Sequence, residues 1–333
     1  MSLLTSFILF FTLPIFTLST KLTTRTTAPD NCIIVDQTNT TNNTSTVYKT
    51  IAAALESLPS SISSACIYIA SGTYEEQLVI KYRGNLTILG ETNDTTTYAH
   101  NTVTITHTIS SPEAGSLVDS ATVAAESDGL KLYNINVVNG FGAGAQAVAL
   151  SAKGDRMGFY ACQFIGYQDT LYAKDGTQYY KNCYIEGAVD YIFGAASAYL
   201  STCTIISTGK GFITAMSRQL ESDPAWYAFD SCTISAAPGL EDELAGKVYL
   251  GRPWRVLARV IYQNSELSGI INEAGWTTMA EGATPLFYEY GNRGEGADTG
   301  KRVWESEIDG EVAREVVLGE DWEEWVDIEG GWI

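Results

Sequence analysis

Histidine is almost absent from this 333-residue chain: His100 and His107 are the two present, flanking the strand-like run NTVTIT, and no G-x-S-x-G turn occurs. A serine hydrolase needs a nucleophile elbow and an imidazole base, so that chemistry is disfavoured and both histidines read as structural. Bases are scarce too, with 20 Lys and Arg against 39 Asp and Glu and a formal net charge of −19. Such a chain repels nucleic acid and anionic membrane, and repels a fully ionised acidic polymer as well. The acidity gathers toward the C-terminus in ESEIDGEVAREVVLGEDWEEWVDIE, which reads equally well as a solvated face. Beyond the first twenty residues no apolar run is long enough to span a bilayer. Asn-Gly hairpin signals between equal strands are sparse, which argues against a sandwich or a barrel.

What is present begins with MSLLTSFILFFTLPIFTLST, whose apolar stretch Phe7 to Leu18 is short and broken by Pro14. Residues 1–20 read as a secretory signal peptide, with an uncleaved anchor as the alternative. Asn-x-Ser/Thr acceptor sequons at Asn39, Asn42, Asn43, Asn85 and Asn93 point the same way, to a secreted, extracellular product. Residues 21–45 form a polar leader. The stretch TVYKTIAAALESLP then has helical spacing of its apolar residues and ends at Pro59, as a capping helix would. With 45% hydrophobic residues the chain can bury a large core, and residues 46–333 are read as one domain.

From Cys66 onward short β-branched and aromatic runs alternate with Gly, Asn and Asp. Aligning LYNINVV, FYACQFI, YKNCYIE, LSTCTII and FDSCTIS puts Ile135, Cys162, Cys183, Cys203 and Cys232 in one column at intervals of 27, 21, 20 and 29 residues. A period of that size, built from strands and turns, predicts an all-β parallel β-helix, one coil per repeat, with a helical and loop tail at its C-terminal end. Side chains at one phase then stack about 4.8 Å apart. The cysteine column reads as an inward stack whose neighbours lie within disulfide reach; buried thiols are preferred to bridges because side chains stacked in parallel register often have the wrong dihedral, whereas Cys32 and Cys66 lie outside the column and could pair in an oxidising compartment.

The same step joins Asp169 of YQDTL to Asp190 of VDYIFG, 21 residues on. Two carboxylates about 5 Å apart cannot both ionise cheaply. One pKa rises, and the pair divides into a nucleophile or base and a proton donor. Gln168 and, 22 residues before it, Gln146 offer amide donors for a developing oxyanion. In GRPW, Arg252 supplies a fixed positive charge to hold one Asp ionised, and Trp254 a flat face for a sugar ring.

Taken together, the segments GTYEE, QAVAL, YQDTL, VDYIFG and LGRPW resemble, in order and near spacing, the pectin methylesterases, carbohydrate esterases with a right-handed β-helix. The resemblance runs from about Thr46 to at least Ala297. It implies that Asp190 attacks the C6 methyl ester of a galacturonate unit in pectin, while Asp169 serves as acid and then base. Gln146 and Gln168 would stabilise the oxyanion, Arg252 would orient Asp190, and Tyr167, Phe193 and Trp254 would line the substrate groove. It implies no metal or organic cofactor, and a monomer that needs neither nucleic acid nor, after signal cleavage, a membrane. Tyr191, Met216, Glu273 and Met279 depart from the family pattern, which bears on groove contacts more than on reaction type. The competing readings are a calcium-dependent β-helical lyase and a non-catalytic pectin-binding solenoid.

Overall fold

The computed structural model describes residues 23–39, 47–60 and 63–328. The signal-peptide segment and the sequons at Asn42 and Asn43 lie outside the described residues. Every pairing between named strands is parallel, and the chain winds as a right-handed β-helix, the hand that parallel crossovers favour. One face of the winding is an eleven-stranded sheet running from Val47–Tyr48 and Ile33–Val35 through Met157–Tyr160 and Thr177–Lys181 to Leu286–Tyr290. The other two faces are continuous with each other, because Tyr184–Gly194 and Thr204–Met216 are long enough to bend from one to the next.

The cysteine column is real and longer than the alignment indicates. Amide-to-carbonyl bonds climb from Ile135 through Cys162, Cys183, Cys203 and Cys232, each accepting from the residue after the next member. By register the column continues through Val103 to Gly72 on one side and through Ser265 on the other. All four cysteines are buried free thiols. The residue before each member from Ile135 to Ser265, namely Asn134, Ala161, Asn182, Thr202, Ser231 and Asn264, has φ between 49 and 55°, the left-handed bend that turns the chain from the first face to the second. Among residues with a side chain Asn tolerates that region best, which is why Asn recurs there with Ala and Ser, and a β-branched residue stands at one of the six bends, Thr202. Rings stack inside as well, at 4.7 Å for Phe159 with Tyr180 and 4.4 Å for Phe229 with Tyr262.

The capping helix is shorter than its sequence pattern predicts. Only Ile51–Glu56 is helical, while Val47–Tyr48 pairs with Ile33–Val35 as an edge strand. Thr50 caps the helix by accepting from the Ala53 amide at 3.2 Å, and Glu76 accepts from the Ile51 and Ala52 amides at 2.8 and 2.9 Å. A carboxylate at a helix N-terminus is favourable, so the coil below holds the helix across the end of the tube. Cys32 and Cys66 form a disulfide that ties Ile33–Val35 to its sheet neighbour Ala65–Ile69, so the sheet begins inside the polar leader. At the other end Val312, Val317, Leu318, Trp325 and Val326 fold back over a row of outward tyrosines that includes Tyr133, Tyr160, Tyr179 and Tyr199. Asp327 anchors that tail on Lys131 at 3.0 Å and on the Tyr133 hydroxyl. No helix among the described residues is long and apolar enough to cross a membrane.

Candidate active site

Both aspartates sit at a second set of left-handed bends, where the chain leaves the second face for the third: φ is 63° at Asp169 and 51° at Asp190. Non-glycine residues in that region carry strain of order 1 kcal/mol, and here the bend swings a carboxylate out of the strand's alternation. The two bends are in register. The Asp169 amide donates to the Val189 carbonyl at 3.0 Å, Gln168 bridges Val189, and Leu171 and Tyr172 pair with Ile192 and Phe193. The acids at 169 and 190 are therefore phase neighbours on adjacent coils, each almost fully buried at 6% and 7% exposure.

Their partners differ. Arg252 grips Asp190 with two parallel bonds, Nε to Oδ1 at 2.8 Å and Nη2 to Oδ2 at 2.6 Å. Such a fork holds the carboxylate charged and fixes its plane. The guanidinium lies over the Phe212 ring at 3.9 Å, and Phe212 stacks on Tyr249 at 5.6 Å. Asp169 makes no ion pair among the described residues. Burial, and then the neighbouring Asp190 charge, push its pKa up to about 8 against the opposing pull of Arg252. Near neutral pH Asp169 thus keeps its proton beside an Asp190 that is paired with Arg252.

The two glutamines also stack. The Ala147 amide donates to the Gln168 carbonyl, which sets Gln146 over Gln168 at a step of 22 residues. The extra residue is absorbed where the Thr170 carbonyl accepts from both Ala149 and Leu150, after which the step returns to 21. Neither glutamine side chain forms a hydrogen bond within the protein among the described residues, and both are half-buried, so their amides are available to a ligand. Amide donors beside two carboxylates in unlike surroundings make an arrangement suited to acyl transfer.

An aromatic wall runs on from the acids. Phe193 stacks on Tyr172 with centroids 4.3 Å apart, and Trp254 leans on both at 5.9 and 6.5 Å. Phe193 and Trp254 are thus brought together, whereas Tyr167 stands apart from them against Gly209, where a Cβ would come within 2.7 Å of its hydroxyl. Tyr172 is missed by the sequence reading, although it precedes Phe193 by the same 21-residue step that links the aspartates. Phe212 is missed as well, and here the pattern gives no signal, because the ladder shifts register between Gly187 and Val189 and again before Ile192. Met216 is buried behind the wall, its carbonyl accepting from the Trp254 amide at 3.1 Å. Glu273 pairs with Lys301 at the surface, and Met279 is exposed. Among the described residues no group of three or more His, Cys, Asp or Glu side chains is placed to hold a metal ion.

Comparison with known proteins agrees with this geometry. Residues 37–316 match the family model described as Pectinesterase. Pectinesterase A of Emericella nidulans is 65% identical over 307 residues, covering 92% of this chain and 92% of that protein. Probable pectinesterase A of Aspergillus niger is 62% identical over 307 residues, covering 92% and 91%. The crystal structure of the Aspergillus niger pectin methylesterase in deglycosylated form superposes with a TM-score of 0.88 at 62% identity, over 92% of this chain and 99% of that one. The pectin methylesterase from carrot gives 0.80 at 28% identity, over 90% and 97%.

Proposed function

The chain belongs to the pectinesterase family and is a carboxylic ester hydrolase, and on that premise we propose that it hydrolyses the C6 methyl esters of galacturonate units in pectin, releasing methanol. The observation that carries this reading is the in-register pair Asp169 and Asp190 with Arg252 forked onto only one of them.

In this mechanism an Asp190 oxygen attacks the ester carbonyl. The negative charge that develops on the carbonyl oxygen is met by the amides of Gln146 and Gln168. As the tetrahedral intermediate collapses, Asp169 gives its proton to the departing methoxy group, which leaves as methanol, and an acyl-enzyme anhydride on Asp190 remains. Asp169, now a carboxylate, takes a proton from water as that water attacks the same carbonyl. Asp190 leaves as a carboxylate, and Asp169 ends the cycle protonated. The two-step path replaces one difficult displacement by two easier ones, each assisted by the same acid and base. Arg252 orients Asp190, and Tyr167, Phe193 and Trp254, joined by Tyr172, line the groove for the polymer. No cofactor enters any step.

The protein is read as a secreted monomer whose residues 1–20 are removed on export and whose remaining chain, after the leader, works as one domain. Asn85 and Asn93, both exposed, support that reading as acceptor sites open to glycans. The decisive test compares wild type with Asp190→Asn for methanol release from methylated pectin. The variant should keep the fold by circular dichroism and lose activity by about 10⁴-fold or more, because an amide of equal size cannot attack. Near-normal release would remove Asp190 from the nucleophile's role.

A further inference from the structure

Arg252 reaches Asp190 from two coils away. Tyr184–Gly194 pairs with Thr204–Met216, which in turn pairs with Val248–Pro253, so two steps of about 4.8 Å separate the outer strands. Arg252 stands opposite Ala215 and, one coil further back, Phe193. Its side chain must therefore also run back along the strand to meet the carboxylate three residues before Phe193. On the intervening coil it crosses Phe212, whose ring centre lies 3.9 Å from the guanidinium carbon.

A local irregularity brings Phe212 there. The step between the two long strands goes from 20 residues at Gly187 and Ser207 to 23 at Val189 and Phe212. The added chain lies close on the coil below at two glycines: a Cβ at Gly209 would come within 2.7 Å of the Tyr167 hydroxyl, and one at Gly211 within 2.3 Å of the Ala188 carbonyl oxygen. Tyr249 backs the ring, with centroids 5.6 Å apart. Arg218, Arg259 and Arg302 are each fastened by backbone carbonyls, whereas the hydrogen bonds of Arg252 among the described residues go to Asp190 alone. That fork cannot serve through the whole cycle. In the acyl-enzyme Asp190 has given up its charge to the anhydride and the ion pair lapses, but a cation on a ring face needs no charge on Asp190.

We propose that Phe212 is a positioning residue for the reaction: its ring holds the Arg252 guanidinium in place while Asp190 is acylated, so that the fork re-forms as Asp190 leaves as a carboxylate. The proposal rests on the reading of Asp190 as the nucleophile. Phe212 acts through Arg252 and needs no contact with the ester. The attraction of a cation to a ring grows as water is excluded, and the Arg252 side chain is 22% exposed. Leucine would fill much of the same space but presents no negative face.

The experiment measures methanol release from methylated pectin by the full-length enzyme as wild type, Phe212→Leu, Phe212→Tyr, Arg252→Met and the double variant Phe212→Leu with Arg252→Met. Phe212→Leu should lower kcat about tenfold without raising KM, the rate equivalent of one partly desolvated cation on a ring. Phe212→Tyr keeps the ring and should keep most of the rate. Added to Arg252→Met, the leucine should cost nothing further, because the guanidinium it serves is gone. The pH profile gives an independent reading. Arg252 draws the Asp169 pKa down against burial and the Asp190 charge, so a guanidinium that leaves its ring should move the basic limb of kcat/KM up by about half a pH unit. A leucine variant with wild-type kcat, a tyrosine variant as slow as the leucine one, a basic limb that stays in place, or a loss that adds in full to that of Arg252→Met would overturn the assignment while methanol release itself stands. Wild type releasing no methanol would overturn the pectin reading and the assignment with it.

Discussion

Two columns of like side chains climb this molecule, cysteines on the inside and aspartates on the outside, and one structural step makes both. Cys162 and Cys183 are one coil apart, as are Asp169 and Asp190. Inside, neutral thiols in register are ordinary packing, and burial pushes the Cys183, Cys203 and Cys232 thiols up, so they stay protonated and inert. At the bend, the same register sets two ionisable groups against each other, and the coil cannot relieve the conflict by moving one. It is resolved by protonating Asp169 and forking Arg252 onto Asp190. A solenoid therefore amplifies whatever it repeats: apolar or weakly polar groups become a core, and charged ones become a coupled pair with distinct protonation.

That comparison breaks most severely in Cys183→Asp, which moves a carboxylate into the interior column where no cation reaches it. The fold should lose on the order of 5 kcal/mol, enough to leave little native protein, as read by urea unfolding. Arg252→Met removes the compensation at the outer pair. Stability should fall by roughly 3 kcal/mol and kcat by about 10² to 10³-fold, with a smaller change in KM, as for an interaction felt chiefly in the transition state.

Asp169→Asn relieves the outer conflict instead. The Asp169 pKa in the folded protein, about 8, lies above the ordinary 3.8, so the folded state holds a proton that the unfolded chain releases. Stability consequently declines as pH rises between those values, and the asparagine variant should be more stable than wild type at pH 8, with no difference near pH 4. Paired denaturation curves at the two pH values check the sign, and wild-type kcat/KM should decline above about pH 8 as the proton donor is lost. Smallest is Cys183→Ala, which leaves a neutral column with a small void and should cost about 1 kcal/mol without altering activity.

Much of this was legible in the sequence because a parallel coil converts spacing into contact. The cysteine column, the aspartate pair and the two glutamines all follow from steps of 20 to 29 residues. Tyr172 obeys the same step as Phe193 and could have been placed by it. Arg252 could not: it lies 62 residues beyond Asp190, across a long strand whose register shifts twice. The end of the tube was equally hidden. TVYKTIAAALESLP has a helical period, but its first residues are drawn into an edge pairing with Ile33–Val35, and nothing local announces a partner so far upstream.

The helix at that end has a further consequence. A stack of parallel coils has raw rims, and a rim of unpaired amides and carbonyls is an invitation for another molecule to continue the ladder. Ile51 and Ala54 cork the bore, and the disulfide pins Ile33–Val35, the strand next to the edge, to Ala65–Ile69. The cork is what makes the ladder finite, so that an architecture whose geometry is that of a growing fibril ends after its last rung.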